Sequence, residues 1–178
     1  MRAGMASHQN GRHEEAADLY RQVLNRAPKH PDALHFLGML RCQAGDHEEG
    51  LRLMRRSIAA APETGSFHNN LGSVLKEQGD LKGAAAAFRK ALAIEPSDAD
   101  GLFNLGVVLH QLGRRDEAEE SLHRAIQSNA DDAEAHYALG NVLKDQGRTE
   151  KAVAAYRTAL RLRPEAGAMY NNLGIALQ

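Results

Sequence analysis

The stretch NNLGSVLKEQG, residues 69–79, decides the fold, because the chain returns to it as NNLGIALQ at residues 171–178. The two Asn pairs stand 102 residues apart, which is three times 34. A fixed period of about 20 to 50 residues is the signature of a repeat architecture. The chain is therefore expected to consist of 34-residue units.

Matched columns run along the chain at this interval. One glycine column, preceded by leucine in most units, comprises Gly4, Gly38, Gly72, Gly106, Gly140 and Gly174. A second glycine column comprises Gly11, Gly45, Gly79, Gly113 and Gly147. Proline closes four units at Pro28, Pro62, Pro96 and Pro164, and Ala130 is the exception. So many aligned columns exclude coincidence.

Each unit is predicted to form two helices. In residues 65–98, apolar side chains recur at i, i+3, i+4 and i+7 on both sides of Gly79. Gly79 follows the first helix, where a left-handed backbone suits glycine, and Pro96 ends the second, because proline lacks an N–H. The short turn makes the pair antiparallel. Small residues such as Gly72 and Ala84 predict closely approaching backbones, since bulk there would overpack the core.

Composition favours an all-α protein. The 178 residues carry a net charge of −1, no Trp and few aromatic residues, whereas sheets favour aromatic and β-branched residues. The near-neutral charge favours neither nucleic acid nor an anionic membrane. No run of about 18 apolar residues and no apolar leader core occurs, so a cytoplasmic location is the default expectation. The single cysteine, Cys42, excludes an internal disulfide framework.

These columns resemble the tetratricopeptide repeat: Leu-Gly, a turn Gly, an Ala, a large apolar residue, another Ala and a closing Pro. The large apolar column is Tyr20, Met54, Phe88, Leu122 and Tyr156. The resemblance covers essentially the whole chain and implies an α-solenoid of antiparallel helix pairs that forms a right-handed superhelix. Departures are local: Leu34, His68, Leu102, His136 and Tyr170 stand where the family often has Trp, and Gly50 and Ala130 replace an Ala and a Pro.

The register predicts a single solenoid over residues 1–178. A partial repeat at 1–30 precedes full repeats at 31–64, 65–98, 99–132 and 133–166, and a partial repeat follows at 167–178. Solenoids normally close with a polar cap, whereas the last segment offers Tyr170, Leu173 and Leu177 to a missing helix. We therefore expect a fragment of a longer chain whose terminal helices favour self-association.

One face of the first helices is rich in uncharged amides. At about 100° per residue, this face lies opposite the core side. Asn is a poor helix-interior residue, because its side chain competes for backbone hydrogen bonds. A carboxamide can pair with the N–H and C=O of any extended peptide. The candidate peptide-binding residues are Asn69, Asn70, Ser73, Lys76, Phe103, Asn104, His110, Tyr137, Asn141, Lys144, Asn171 and Asn172.

A second resemblance supports binding. The segments NNLGSVLKEQG, FNLGVVLHQLG, ALGNVLKDQG and NNLGIALQ are similar to repeats of O-linked N-acetylglucosamine transferases and of bacterial repeat proteins fused to glycosyltransferase or sulfotransferase domains. In those transferases an Asn row on the concave side holds the backbone of protein substrates. The resemblance implicates Asn70, Asn104 and Asn172, with Asn69, Asn141 and Asn171 as flanking contacts. Alternatively, these Asn side chains bond neighbouring carbonyls or water and bind nothing.

A dicarboxylate clamp for chaperone tails is a further mode of this family. Asn141 and Asn172 match its two Asn positions, but Tyr137 stands where the clamp needs Lys. The clamp is therefore disfavoured.

Other chemistry has weaker support. The nine His residues form no i, i+4 pair with a third ligand, so neither a metal nor a cofactor is expected. His35 and His110 are predicted to face the groove and to make binding pH-sensitive near 6.5. No nucleophile motif or phosphate loop occurs, and the aromatic residues lack the basic stripe that single-stranded nucleic acid needs.

The predicted function is a non-catalytic protein-interaction module that binds extended peptide segments in its concave groove and recruits partners for a larger protein. The alternative is a self-associating scaffold without a groove ligand. An enzyme acting alone is the third and least supported reading.

Overall fold

The computed structural model describes residues 1–177, and Gln178, the last residue of the predicted partial repeat, lies outside that range. Residues 1–177 form eleven α-helices and no strand, which confirms the predicted all-α class. The helices are α1 (Arg2–Gln9), α2 (His13–Arg26), α3 (Pro31–Gln43), α4 (His47–Ala60), α5 (Gly65–Glu77), α6 (Leu81–Ile94), α7 (Ala99–Gln111), α8 (Arg115–Ser128), α9 (Ala133–Asp145), α10 (Thr149–Leu162) and α11 (Gly167–Ala176).

The chain divides into two compact units. Unit 1 is Met1–Val74 and unit 2 is Leu75–Gln178. In unit 1, α1 packs on α2, α2 on α3 and α3 on α4. In unit 2, α6 to α10 each pack on the next helix, and α9 also contacts α7 and α11. Each unit is therefore a stack in which successive helix pairs cover one another.

The 34-residue period appears directly in the helix boundaries. The second helices begin at His13, His47, Leu81, Arg115 and Thr149, each 34 residues after the last. The first helices from α3 onward begin at residues 31, 65, 99, 133 and 167. The helix boundaries thus follow the columns from which the repeat was predicted.

Glycine makes the turn within each pair. Gly79 has φ +80° and Gly147 has φ +74°, as predicted for this column. The N–H of the residue after the glycine reaches back to a carbonyl in the last turn of the first helix: Asp80 N bonds Leu75 O at 2.9 Å, and Arg148 N bonds Leu143 O at 2.9 Å. The turn therefore satisfies carbonyls that the helix end would leave unpaired.

The closing proline is less important than the sequence indicates. Helix α6 ends at Ile94, two residues before Pro96. Helix α8 ends at Ser128 in the same register, although Ala130 replaces the proline. An Asn129 side chain that accepts from Asp131 N at 3.3 Å shapes this turn instead.

Aspartate caps begin several helices, a feature that the sequence analysis missed. Asp80 accepts from Gly83 N at 2.9 Å at the start of α6, and Asp132 accepts from Glu134 N at 2.9 Å at the start of α9. Such a cap satisfies an otherwise unpaired N–H and contributes about 1 kcal/mol.

In helix pairs that lie wholly within one unit, the core contact joins a first-helix glycine to a large second-helix side chain. In unit 1, a Cβ added to Gly38 would lie 2.8 Å from Met54 Cγ. In unit 2, a Cβ added to Gly140 would lie 2.5 Å from Tyr156 Cε1. Met54 and Tyr156 are fully buried. A Cβ added to Gly38 would also lie 2.9 Å from Gly50 O, so these two backbones approach closely; the predicted pair Gly72 and Ala84 stays a prediction.

His35 belongs to the core of unit 1, which corrects the expectation that it faces a groove. The residue is 1% exposed. Its ring stacks on Phe67 with centroids 4.3 Å apart and planes 19° apart. Burial lowers the pKa of His35 from 6.5 to about 4, because the charged imidazolium is poorly solvated there. His35 is therefore neutral over the physiological range.

Replacing Gly140 with Ala tests the glycine contact. The added methyl group meets the Tyr156 ring, so we expect Gly140→Ala to lower the free energy of unfolding by about 1–3 kcal/mol in urea denaturation. Gly174 occupies the same column, and a Cβ there meets nothing within 4 Å. Gly174→Ala is the matched control and should not destabilise the protein. Equal effects of the two substitutions would contradict the contact's importance.

Burial of His35 predicts acid lability. The unfolded His35 binds a proton below about pH 6.5, whereas the folded residue resists protonation until about pH 4. Its contribution to stability is therefore complete above pH 6.5 and is lost as the pH falls towards 4, by about 3 kcal/mol at most. We expect His35→Gln to flatten the decline of the melting temperature between pH 6.5 and 4. His47→Gln, at an exposed position, should keep the wild-type slope. An unchanged slope in His35→Gln would refute this assignment.

Candidate functional site

Three asparagines on successive first helices of unit 2 form the candidate site. Asn104 lies on α7, Asn141 on α9 and Asn172 on α11, and we call these three residues the carboxamide row. All three side chains are half-buried. Each makes hydrogen bonds to side chains rather than to helix carbonyls, so the alternative of bonding to the backbone does not hold for these residues.

Asn172 joins α11 to α9. Its Nδ2 donates to Tyr137 Oη at 2.7 Å and to Asn141 Oδ1 at 2.9 Å. These partners stand 35 and 31 residues earlier, one turn apart on α9. One amide group thus bridges two positions of the preceding first helix, which orients both Asn172 and Tyr137.

Asn141 is also held from the core. Tyr156 Oη on α10 donates to Asn141 Oδ1 at 2.8 Å. Burial raises the pKa of Tyr156 to about 12, so the hydroxyl keeps its proton and remains a donor at neutral pH. The oxygen of Asn141 accordingly accepts two hydrogen bonds, one from the core and one from the next repeat.

Asn104 is held by a lysine. Lys76 Nζ donates to Asn104 Oδ1 at 2.9 Å. Lys76 lies in the last turn of α5 and Asn104 in the middle of α7. The ammonium therefore stands beside the carboxamide row.

Each member of the row retains one unused polar group. Within residues 1–177, Asn104 Nδ2, Asn141 Nδ2 and Asn172 Oδ1 make no hydrogen bond. Oriented amides that keep free hydrogen-bonding groups can bind a peptide main chain. Because their conformation is already restricted, they lose less rotamer entropy when a ligand arrives.

The other candidates in unit 2 differ in their environment. Phe103 is half-buried on α7, and Tyr137 lies 5.8 Å from the Tyr156 ring. His110 Nε2 lies 2.8 Å from Asp145 Oδ2, so this ring is paired with a carboxylate that the candidate set omitted. Lys144 and Asn171 make no hydrogen bond or ion pair with other described residues.

Unit 1 holds the remaining candidates on α5. Asn70 Nδ2 lies 2.9 Å from His35 Nε2 and 3.7 Å from Met39 Sδ, which is the same 35- and 31-residue spacing as at Asn172. Asn69 Oδ1 is buried without a hydrogen-bond partner in the described chain, so this oxygen is inaccessible to a ligand. Ser73 is half-buried and makes no hydrogen bond there.

Three positioning residues escaped the sequence analysis: His35 for Asn70, Tyr156 for Asn141 and Asp145 for His110. The spacing of 35 residues was the available signal, because it joins Asn70 to His35, Asn172 to Tyr137 and Asp145 to His110. Tyr156 carried no such signal, since its column marks the core.

The described residues suggest neither a metal site nor a membrane-spanning helix. Among residues 1–177, no group of three His, Cys, Asp or Glu side chains could hold a metal ion. Within the same range, no helix has the length and apolarity required to cross a bilayer. The lone Cys42 is buried.

Sequence and structure comparisons identify the repeat. Models of the tetratricopeptide repeat match residues 1–30, 35–99, 75–142 and 140–178. No curated protein matches the chain. The crystal structure of MamA superposes with a TM-score of 0.84 at 22% identity and covers 93% of this chain and 96% of its own.

Two further solved structures are similar. YrrB, described as a TPR protein with an unusual peptide-binding site, has a TM-score of 0.82 at 20% identity and covers 94% of this chain and 87% of its own. A thermophilic TPR protein of Thermus thermophilus has a TM-score of 0.70 at 26% identity and covers 99% of this chain and 96% of its own. The matched families are interaction repeats and none is catalytic. The chain therefore belongs to the tetratricopeptide-repeat proteins.

Proposed function

We propose that the carboxamide row of unit 2 binds extended peptide segments through their main-chain amide groups. The observation that supports this proposal is that each amide of the row is held by a neighbouring side chain while one polar group stays unused. Such groups accept or donate to any peptide bond, so we expect little dependence on the peptide's sequence.

Charge supports an uncharged main chain as the ligand. The row consists of amides; the Tyr137 phenol is bonded to Asn172, and Lys76 is bonded to Asn104 at one end of the row. The dicarboxylate clamp needs a cation where Tyr137 stands, and the Tyr137 oxygen already accepts from Asn172. A ligand that depends on paired carboxylates is therefore disfavoured.

The length of the row indicates the length of the peptide. Helix α9 contacts both α7 and α11, and packed helices lie about 8–10 Å apart. The row then spans roughly 18 Å, which corresponds to about six extended residues at ~3.3 Å each. In unit 1, Asn70, which His35 and Met39 hold through its Nδ2, is proposed as a second contact of the same kind, with Ser73 beside it on α5. Asn69 is left out of this proposal because its Oδ1 is buried.

The similarity to YrrB is consistent with this proposal, because that protein is described as having a peptide-binding site. The repeats' resemblance to those of O-linked N-acetylglucosamine transferases extends the proposal to recruitment of protein clients for a larger protein. That extension rests on the resemblance alone.

The carboxamide row can be tested with octapeptides selected for binding from a random display library. The double change Asn104→Ala and Asn172→Ala removes two net hydrogen bonds, each contributing roughly 0.5–1.5 kcal/mol. We expect the affinity measured by fluorescence anisotropy to fall by about tenfold or more. Asn25→Ala, an exposed Asn outside the row, is the control and should bind normally.

Recognition of the peptide main chain leads to a second prediction, which the same assay can check. Selected peptides with methylated backbone nitrogens should bind less tightly, whereas Ala substitutions of their side chains should have small effects. If the double variant retains wild-type affinity, the carboxamide row does not bind these peptides.

One observation favours self-association as an alternative to peptide binding. Tyr170 on α11 is 53% exposed and Leu177, directly after the helix, is 59% exposed. The two residues stand seven apart and so share one side of the helix, and exposed clusters of large apolar side chains often mark contact surfaces. If this surface pairs with a second copy, Tyr170→Ser with Leu177→Ser should convert dimers to monomers in light scattering. Ala168→Ser, an exposed position on the same helix, should not. A wild-type protein that is monomeric at high concentration would exclude this alternative.

A further inference from the structure

A groove on unit 2, separate from the carboxamide row, is lined by residues of α8, α9 and α10. We call it the α8–α10 groove. It encloses about 370 Å³, within the usual range of about 300–1,000 Å³ for ligand sites. Its apolar lining includes Ile126, Leu139 and Leu143. Its polar lining includes His123, Arg148 and Lys151.

The chain contains a matched groove one repeat earlier. This α6–α8 groove, about 280 Å³, is lined by residues of α6, α7 and α8. Leu105 and Leu109 stand there 34 residues before Leu139 and Leu143. The two grooves therefore have equivalent leucines at their base and differ in the residues at their rims.

Carboxylates neutralise the rim of the α6–α8 groove. Glu117 and Glu120 line it, and Glu117 Oε2 lies 3.1 Å from Arg89 Nη2. In the α8–α10 groove, Lys151 stands in the position of Glu117 and Ala154 in that of Glu120. Arg89 and Arg124 of the α6–α8 groove are likewise replaced, by His123 and Thr158. The α6–α8 rim therefore carries two arginines and two carboxylates, whereas Arg148 and Lys151 are the charged residues of the described α8–α10 lining.

The positive charge at the α8–α10 groove is not balanced from within the groove. None of the described residues that line it carries a carboxylate, although Glu119 Oε1 lies 3.6 Å from Nε2 of the lining residue His123. Arg148 pairs with Glu119, but Lys151 is exposed and forms no ion pair with another residue in the described range 1–177. An occupant that complements this groove therefore carries an apolar group for the lining and negative charge for the rim.

We propose that the α8–α10 groove is a docking site for an acidic peptide segment that inserts one aliphatic side chain against Leu139 and Leu143. A carboxylate of the segment faces Lys151. We expect the α6–α8 groove not to bind such a segment, because Glu117 and Glu120 offset the positive charge of Arg89 and Arg124 there.

The probe is a fluorescein-labelled octapeptide of Asp and Glu with one central Leu, titrated into the full chain. We expect saturable binding below about 1 mM and chemical-shift changes in the methyl groups of Ile126, Leu139 and Leu143. Replacing the central Leu with Ser should weaken binding about tenfold or more, because the apolar burial is lost. High salt should also weaken binding.

The role of the rim residues can be tested by exchanging them between the two grooves. Lys151→Glu with Ala154→Glu gives these two positions the carboxylates of the neighbouring groove, and we expect affinity to fall about tenfold. Both positions are exposed. Should the double variant be unfolded by circular dichroism, Lys151→Glu alone decides, with an expected loss of about fivefold. Glu117→Lys with Glu120→Ala is the converse change and should create a second site for the same peptide.

Failure of this proposal can be told apart from failure of the carboxamide-row proposal. The double change Asn104→Ala and Asn172→Ala should leave the affinity of the acidic peptide unchanged. The proposal is overturned if the peptide does not bind below about 1 mM. It is also overturned if the peptide's affinity does not depend on the charge of residue 151, or if the peptide changes only the chemical shifts of the carboxamide row.

Discussion

The close contact between a glycine of the first helix and one large side chain of the second is the constraint on which the repeats of Gly38, Gly106 and Gly140 depend. A Cβ at Gly38, Gly106 or Gly140 would lie 2.8, 2.6 or 2.5 Å from Met54, Leu122 or Tyr156. Carbon atoms normally approach to about 3.5–4.0 Å, so this column has no room for a side chain. The large partner can change identity between repeats, provided that it fills the space above the glycine.

This core contact also positions part of the candidate site. Gly140 lets the Tyr156 ring lie against α9, and the hydroxyl then reaches Asn141, the next residue along the helix. Leu122 occupies the same column one repeat earlier and has no hydroxyl to offer. Asn141 is therefore oriented by its own repeat's core, whereas Asn104 is oriented by Lys76. Repeats of the same backbone design thus hold their amides by different means.

The sequence predicted the helix pairs and the glycine turns because these features depend on columns where local preference and packing agree. Gly79 is an example, since its left-handed φ and its position after a helix are both required. The hydrogen-bond partners of the amides could not be predicted, because they depend on rotamers and on the position of the next helix. His35 was misplaced for the same reason: Phe67 on the next first helix stacks on it and buries it. At Ala130 the sequence suggested a departure that the backbone does not show, since α8 ends at Ser128, in the same register as α6, without the proline.

Columns outside the core are free to diverge, and this freedom is what gives individual repeats their chemistry. In a stack of repeats each unit contacts mainly its neighbours, so an exposed substitution alters one groove without disturbing the others. Leu105 and Leu139 hold the same structural position, while Glu117 and Lys151 reverse the charge beside them. The first-helix face carries amides and the α8–α10 groove carries unbalanced positive charge over apolar residues. The same scaffold therefore presents two surfaces of different chemistry, because the glycine contact that builds the scaffold leaves most of the exposed columns free to vary.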